Sequence, residues 1–507
     1  MKESRTSAEL GFLRLDGRRK TPLFQQLYQA IREAILIGEL KPSDRIPSSR
    51  DLMDQLGVSR TTVVTAMDRL IAEGYLQSIR GSGTFVSGEL PNDSPFTSVP
   101  IARTSVEQPR KLTRENPPEL EIDEISDYGG GLSSIDPIIL ATGSPEPFCP
   151  GEPALDSFPI AVWSKIVRST WKKVNAFDLS YGEPGGQYLL KKSVAEYLRS
   201  QRGVRCETRQ VMIVNGTQQA VELASRILVN PRDKVLFENP GYVSAREAFE
   251  KQQAQIVPMR VDENGAVVDE GIRSVPNAKL AYVTPSHQYP IGVTMPIDRR
   301  LELLAWAANS DGWILEDDYD SEYRYGQNPV PSLQGLDAHD RTLYVGSFSK
   351  VIFPALGLGY IIVPHQLVSI FENALRLASR PASQVDQLVL TEFIREGHFG
   401  RHLRRTRKIH SERRKTFIDA IESNLSDKLA IIGSMAGLHC TALLKQRRSD
   451  KNVVKKLAEI GIIARALSSY YTPETAKQDQ LNGLVMGFAS STPSQIRKRL
   501  QLASGCF

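Results

Sequence analysis

Residues 311–350 read DGWILEDDYDSEYRYGQNPVPSLQGLDAHDRTLYVGSFSK. Two apolar runs, GWIL and TLYV, each lead into residues that carry chemistry: Asp317 and Tyr319 after the first, Ser347 and Lys350 after the second. Short runs of branched and aromatic residues bounded by polar ones predict buried strands. Runs of the same kind, QVMIVNG (210–216), KVLFENPG (234–241), KLAYVTPS (279–286) and GYIIVP (359–364), alternate with helical patterns from residue 138 onward. That alternation predicts an α/β domain on a mainly parallel sheet. In open sheets of this kind ligands collect at the carboxyl ends of the strands, where these residues stand.

A chain of 507 residues predicts more than one domain. Its 41% hydrophobic and 24% charged content is that of a soluble globular protein. No apolar stretch reaches the roughly eighteen residues a membrane span needs, and the first twenty residues lack the apolar run of a secretion signal. A cytoplasmic protein is expected. Cys149, Cys206, Cys440 and Cys506 stand far apart, without the spacing of a zinc site or a disulfide framework. Residues 89–137 are rich in proline and polar groups and carry an acidic cluster from Glu119 to Asp127. They read as a flexible linker between a small domain over 21–88 and a large one over 138–507.

In the small domain, Leu23, Leu27, Ile31, Ala34 and Ile35 fall on one helical face. Ser48 is placed to cap a short helix that stops at Gly57, and Ser59 opens another whose Val63, Ala66, Met67 and Leu70 face inward. Helix, glycine turn, helix is the helix-turn-helix spacing. The segment YLQSIRGSGTFV (75–86) then alternates around RGSG as a β-hairpin wing. Ser59, Arg60, Thr61 and Thr62 offer hydroxyl and guanidinium groups to base edges and phosphates. Arg45, Ser49, Arg50 and Arg80 flank them as backbone contacts, and Gly83 lets the wing approach a groove. A protein-interaction module is the competing reading, since cations barely outnumber carboxylates over residues 1–90; the wing decides for double-stranded DNA. From GELKPSDRIPSSRDLMDQLGVSRTTVVTAMDRLIAEGYL to RGSGTFV the stretch resembles the winged helix-turn-helix of the GntR transcription factors.

The large domain offers what pyridoxal phosphate requires: an imine-forming lysine, a carboxylate for the pyridine nitrogen, a hydroxyl for the ring oxygen and a helix start for the phosphate. Gly216, Thr217 and Gln218 open the helix after QVMIVN. No one of these features is specific. Their order, with NPGY (239–242), TPSHQYPIG (284–292), EDDYDSEYRY (316–325) and SFSK (347–350), resembles the class I aminotransferases of fold type I. It is most similar to the MocR group, in which a GntR-like reader is joined by a linker to such a domain. The expected fold is therefore multidomain, an α+β winged helix-turn-helix followed by an α/β aminotransferase-like domain. The large subdomain is expected over about 175–395 and the small one over about 396–507.

The resemblance implies roles. Lys350 carries the imine, Asp317 pairs with the pyridine nitrogen, Tyr319 meets the ring oxygen, and Gly216, Thr217 and Ser347, with Gln218, hold the phosphate. Tyr242 stacks on the ring or is an ordinary core aromatic. Tyr181 reaches the phosphate of a partner chain in a homodimer. Arg465 and Arg246 are the available forks for a ligand carboxylate, although surface ion pairs weigh more for both. The run RHLRRTRKIHSERRK (401–415) reads first as a solvated helix face and second as a DNA contact. One position departs from the family: where PALRLGY is usual, this chain has Leu356-Gly357-Leu358. Losing that arginine removes a charge-assisted hydrogen bond worth roughly 1.5–3 kcal/mol. The function expected is a DNA-binding regulator that senses an amino compound, or the cofactor itself, at Lys350. An aminotransferase with an attached DNA module and a regulator with a decayed, cofactor-free site are the alternatives. Operator, effector and sign of regulation are not written in the sequence.

Overall fold

The computed structural model describes residues 15–16, 21–88, 147–326, 330–378, 382–446 and 448–507. The expected linker, 89–137, lies outside them. The chain divides into two compact units, 1–119 and 120–507.

In the first unit, helices α1 (Leu23–Leu36), α2 (Ser49–Leu56) and α3 (Arg60–Ala72) pack with a three-stranded sheet of β1 (Arg45–Ile46), β2 (Leu76–Ile79) and β3 (Gly83–Val86) in the order β1-β3-β2. Ser48 caps α2 by accepting from Asp51 N, and the Asp51 carboxylate accepts in return from Ser48 N. Gly57 ends α2 at φ +65°, and Ser59 caps α3 by accepting from Thr62 N at 3.2 Å. Leu27, Ile31, Leu52, Val63, Ala66 and Leu70 are at most 2% exposed and form one core, whereas Leu23 stays partly exposed at the helix start. β2 and β3 are the wing, turning at Arg80-Gly81-Ser82.

The second unit holds an eight-stranded sheet in the order β4-β11-β10-β9-β8-β5-β6-β7. Its strands are β4 (Val211–Val214), β5 (Lys234–Asn239), β6 (Gln255–Asp262), β7 (Gly265–Ala266), β8 (Leu280–Val283), β9 (Trp313–Asp318), β10 (Thr342–Ser347) and β11 (Gly359–Ile362). β10, β9, β8, β5 and β6 run parallel, and β11 is antiparallel to both β4 and β10. The central parallel strands β8, β9 and β10 are wholly buried, as a sheet covered on both faces requires, while β6 near the edge is mostly partly exposed. A four-stranded antiparallel sheet, β12 (Leu429–Ile432), β13 (His439–Leu444), β15 (Gly483–Gly487) and β14 (Arg465–Ala466) in that order, follows the long helix His398–Leu425. No helix among the described residues is long and apolar enough to cross a membrane.

Candidate cofactor and DNA sites

The register brings the chemistry together. Asp317 on β9 pairs with Val345 on β10, and Ser347 pairs with Gly359 on β11, which also pairs with Val214 at the end of β4. The loop that opens helix Gly216–Leu228 follows at once, with Gly216 at φ +81°. A Cβ on Gly359 would stand 3.1 Å from Gly216 Cα, so the glycine at 359 is what lets this helix start close on the strand ends.

Within the triplet Glu316-Asp317-Asp318, strand alternation gives each carboxylate a different surrounding. Glu316 accepts from the backbone N–H groups of Leu333 and Gln334, each at 3.0 Å. Asp318 is buried, which pushes its pKa up, but the Arg202 guanidinium and the Ser321 and Tyr344 hydroxyls outweigh this and hold it below the ordinary value. Asp317, 3% exposed, accepts from Tyr282 Oη at 2.7 Å through Oδ2 alone. Its Oδ1 is buried without a hydrogen-bond partner, and burial lifts the carboxyl to about 7. A buried acceptor left unmade is costly, and a pyridinium N–H would satisfy it.

Lys350 is half-buried in the same site. Burial lowers its pKa; Asp320 and Cys149 oppose this, and Arg465 adds to it. Its Nζ lies against Gly151, where a Cβ would come within 3.1 Å. Tyr319 Oη is 2.9 Å from His287 Nδ1, which is 2.9 Å from Asp320 Oδ1. The imidazole thus links the Tyr319 phenol to the Asp320 carboxylate and holds the phenol in place. His439 completes a buried group with His287 and Asp320. Tyr242 lies 5.7 Å from Tyr289 in an edge-on arrangement, and burial raises its pKa to about 12, with Asp317 contributing. Gln218 Nε2 donates to Ser244 O at 3.0 Å. Ser347 Oγ accepts from Ser349 N at 3.0 Å. Thr217 is half-buried beside Gly216.

Arg465 has a more enclosed setting than a surface position. It is half-buried on β14, opposite Val485, among Tyr470, Tyr289 and Cys149 and within the field of Lys350. Arg246 is buried, pairs with the half-exposed Glu250 at 3.4 Å as the ion-pair reading expects, donates to Tyr471 O at 3.1 Å, and lines a separate cavity of about 630 Å³. Tyr181 is 66% exposed. Gly357 sits at φ +62° with nothing within 4 Å of where a Cβ would be. His287, Asp320 and Tyr282 escaped selection from the sequence, although they lie inside or beside the quoted motifs. Register was the missing signal, since Tyr282 pairs with Leu315, two residues before Asp317 and on its face of the sheet.

In the small unit, Arg45, Ser49, Arg50, Ser59, Arg60, Thr61 and Arg80 are all exposed, and Thr62 is half-buried with its hydroxyl 2.9 Å from that of Ser59. The Arg45 guanidinium packs against Gly83, where a Cβ would come within 3.1 Å of Nε. The wing and β1 thereby hold one cation between them.

Residues 23–86 match the bacterial regulatory proteins of the gntR family, and residues 151–479 match aminotransferase class I and II. The chain is 36% identical over 493 residues to the probable rhizopine catabolism regulatory protein MocR of Rhizobium meliloti, covering 97% of this chain and 95% of that protein. It is 33% identical to the HTH-type pyridoxine biosynthesis transcriptional regulator PdxR of Corynebacterium glutamicum, covering 95% of each chain. Among solved structures, kynurenine aminotransferase from Pyrococcus horikoshii superposes with a TM-score of 0.66 at 24% identity, covering 75% of this chain and 94% of that one. The α-aminoadipate aminotransferase LysN of Thermus thermophilus gives 0.69 at 22% identity, covering 76% and 98%. These last two likenesses speak for the fold. A DNA reader followed by an aminotransferase domain whose fold implies pyridoxal phosphate is thus shared with the relatives along nearly the whole chain, and this protein belongs to the MocR-type, GntR-family transcriptional regulators.

Proposed function

We propose that this regulator holds pyridoxal phosphate on Lys350 and reads a small amino compound, or the supply of the cofactor itself, through that site. The observation that carries the proposal is Asp317 Oδ1, buried without a partner in the field of the half-buried Lys350 at the carboxyl end of a parallel sheet. When bound, pyridoxal phosphate supplies an aldehyde that condenses with amines and a ring that withdraws electrons. The chain's own residues do the rest. Lys350, its pKa depressed first by burial, presents an amine less inclined to hold a proton. Asp317 holds the ring nitrogen protonated. Tyr319, oriented by His287 and Asp320, donates to the ring oxygen, with Tyr242 against the ring. Gly216, Thr217, Gln218 and Ser347 surround the phosphate. Ligand binding at this site biases the DNA-binding state of the chain.

Arg465 favours an effector that carries a carboxylate as well as an amine, since it lies in the field of Lys350. A homodimer suits this reading. Ile160, Trp171, Phe177, Leu179, Tyr181 and Tyr188, all more than half exposed, are the apolar surface such an interface would cover. A dimer also suits a divided operator, and the place of action would be the cytoplasm. The open space at Gly357 leaves the phosphate with one cation fewer, so that occupancy follows cofactor supply.

An amine panel tests the effector class. Amino acids should shift the absorption of the cofactor-loaded chain more readily than the corresponding plain amines. Arg465→Gln should abolish that preference while keeping the response to plain amines. A preference that survives in Arg465→Gln contradicts the assignment.

A further inference from the structure

The helix His398–Leu425 buries His402, Thr406, His410, Arg413 and Phe417 and turns the basic run outward. Against residues 324–326 its outer face forms a trough of about 870 Å³. Six cations line it, Arg324, Arg404, Arg407, Lys408, Arg414 and Lys415, with Glu412 as the one carboxylate among the lining residues. Three guanidinium groups are anchored by backbone carbonyls. Arg324 donates to Ser286 O at 3.0 Å, Arg407 to Glu322 O at 3.0 and 2.8 Å, and Arg414 to Ser434 O. Among the described residues none of the six forms an ion pair with a carboxylate, unlike Arg413 on the buried side, which pairs with Asp156 at 2.5 Å. Arg324 is half-buried, and its Nε has no hydrogen-bond partner.

A solvated face would mix signs or let its cations extend into water. Here six cations stand against one lining carboxylate, without ion pairs among the described residues, and three are fixed in direction by their carbonyl partners. Residues 404, 407, 408, 411, 414 and 415 follow the helical repeat, so the stripe runs for about 16 Å along one side. Duplex DNA carries a phosphate about every 3.4 Å per strand, which matches a stripe of several cations better than a small anion does. We propose that this trough is a second, sequence-independent DNA contact, made by the aminotransferase-like unit to the phosphate backbone. Two contacts on one chain act at high effective concentration, so this one lengthens the footprint and adds salt dependence without adding base readout.

The test is the salt dependence of binding by the full-length chain. The probe is a random-sequence, fluorescein-labelled duplex of roughly 40 bp, titrated between about 50 and 200 mM salt. The triple variant Arg404→Glu/Lys408→Glu/Lys415→Glu replaces exposed side chains only. Each lost phosphate contact lowers the slope of log K against log salt by about 0.9. The proposal expects the slope to fall by about two to three and the affinity at low salt to drop at least tenfold, with cofactor absorption and thermal midpoint unchanged. The milder Arg404→Gln/Lys408→Gln variant should show the same change at reduced size. A slope and affinity equal to wild type in both variants would overturn the proposal and leave the trough to an acidic partner, the chain's own Glu119–Asp127 cluster included.

Discussion

Asp317 is the residue on which the cofactor reading turns, and it makes a pH prediction. Its carboxyl is raised from the usual carboxylate range to about 7 by burial. Between about pH 4 and pH 7 the folded chain therefore holds a proton that the unfolded chain has released. The stability this group contributes is complete below about pH 4 and is lost as pH rises through 7. Asp317→Asn should remove that loss, so that the thermal midpoint of the cofactor-free variant falls less than wild type between pH 5 and 8. The same variant should bind pyridoxal phosphate at least tenfold more weakly. An unchanged pH profile and affinity would count against the role. Gly357→Arg separates two effects in the same way. The left-handed backbone costs a side chain about 1 kcal/mol in stability, whether or not cofactor is bound. The open space at this position lets the guanidinium extend, and affinity should rise about 10- to 100-fold. A lower thermal midpoint with tighter cofactor binding is the expected pair of results.

Capping is legible in the sequence, and register across the sheet is not. Ser48 and Ser59 were legible as caps because a hydroxyl before an apolar-periodic run has one local partner to find, and both caps form. Ser48→Ala should cost about 1 kcal/mol of stability with little direct effect on DNA affinity at saturating folded fraction. Arg60→Ala should do the reverse, leaving the melting curve unchanged while lowering affinity; melting and fluorescence anisotropy distinguish the two. Asp317, Tyr319 and Lys350 stood out in the sequence because they lie at or just past strand ends. The Tyr319–His287–Asp320 chain was not, because nothing local in HQYP says that residue 287 reaches residue 320 across two strand ends. The surroundings of Arg465 were hidden for the same reason. Its burial depends on β14 pairing with β15, a contact of long sequence separation. Gly437→Ala probes that hidden network, because a Cβ there would overlap His287 Cε1 and Asp320 Oδ2. It should destabilise the chain by about 2 kcal/mol and weaken cofactor binding, while Ala at the open, exposed Gly203, likewise at positive φ, should leave cofactor binding unchanged.

Taken as a molecule, the chain couples a reader with exposed Arg60 and Arg80 to a domain whose strand ends gather a lysine, an unpaired carboxylate oxygen and an oriented phenol. Its two-part architecture was readable because each part keeps a dense local pattern, wing and helix pair in one, strand-end motifs in the other. The most direct test of the account is an absorption titration of the purified full-length chain with pyridoxal phosphate, run beside Lys350→Ala. The account predicts a visible band on the wild-type chain that saturates with one cofactor per chain, shifts on adding an amine, and is missing from the variant. A band of equal strength in Lys350→Ala, or none in wild type at saturating cofactor, would contradict it.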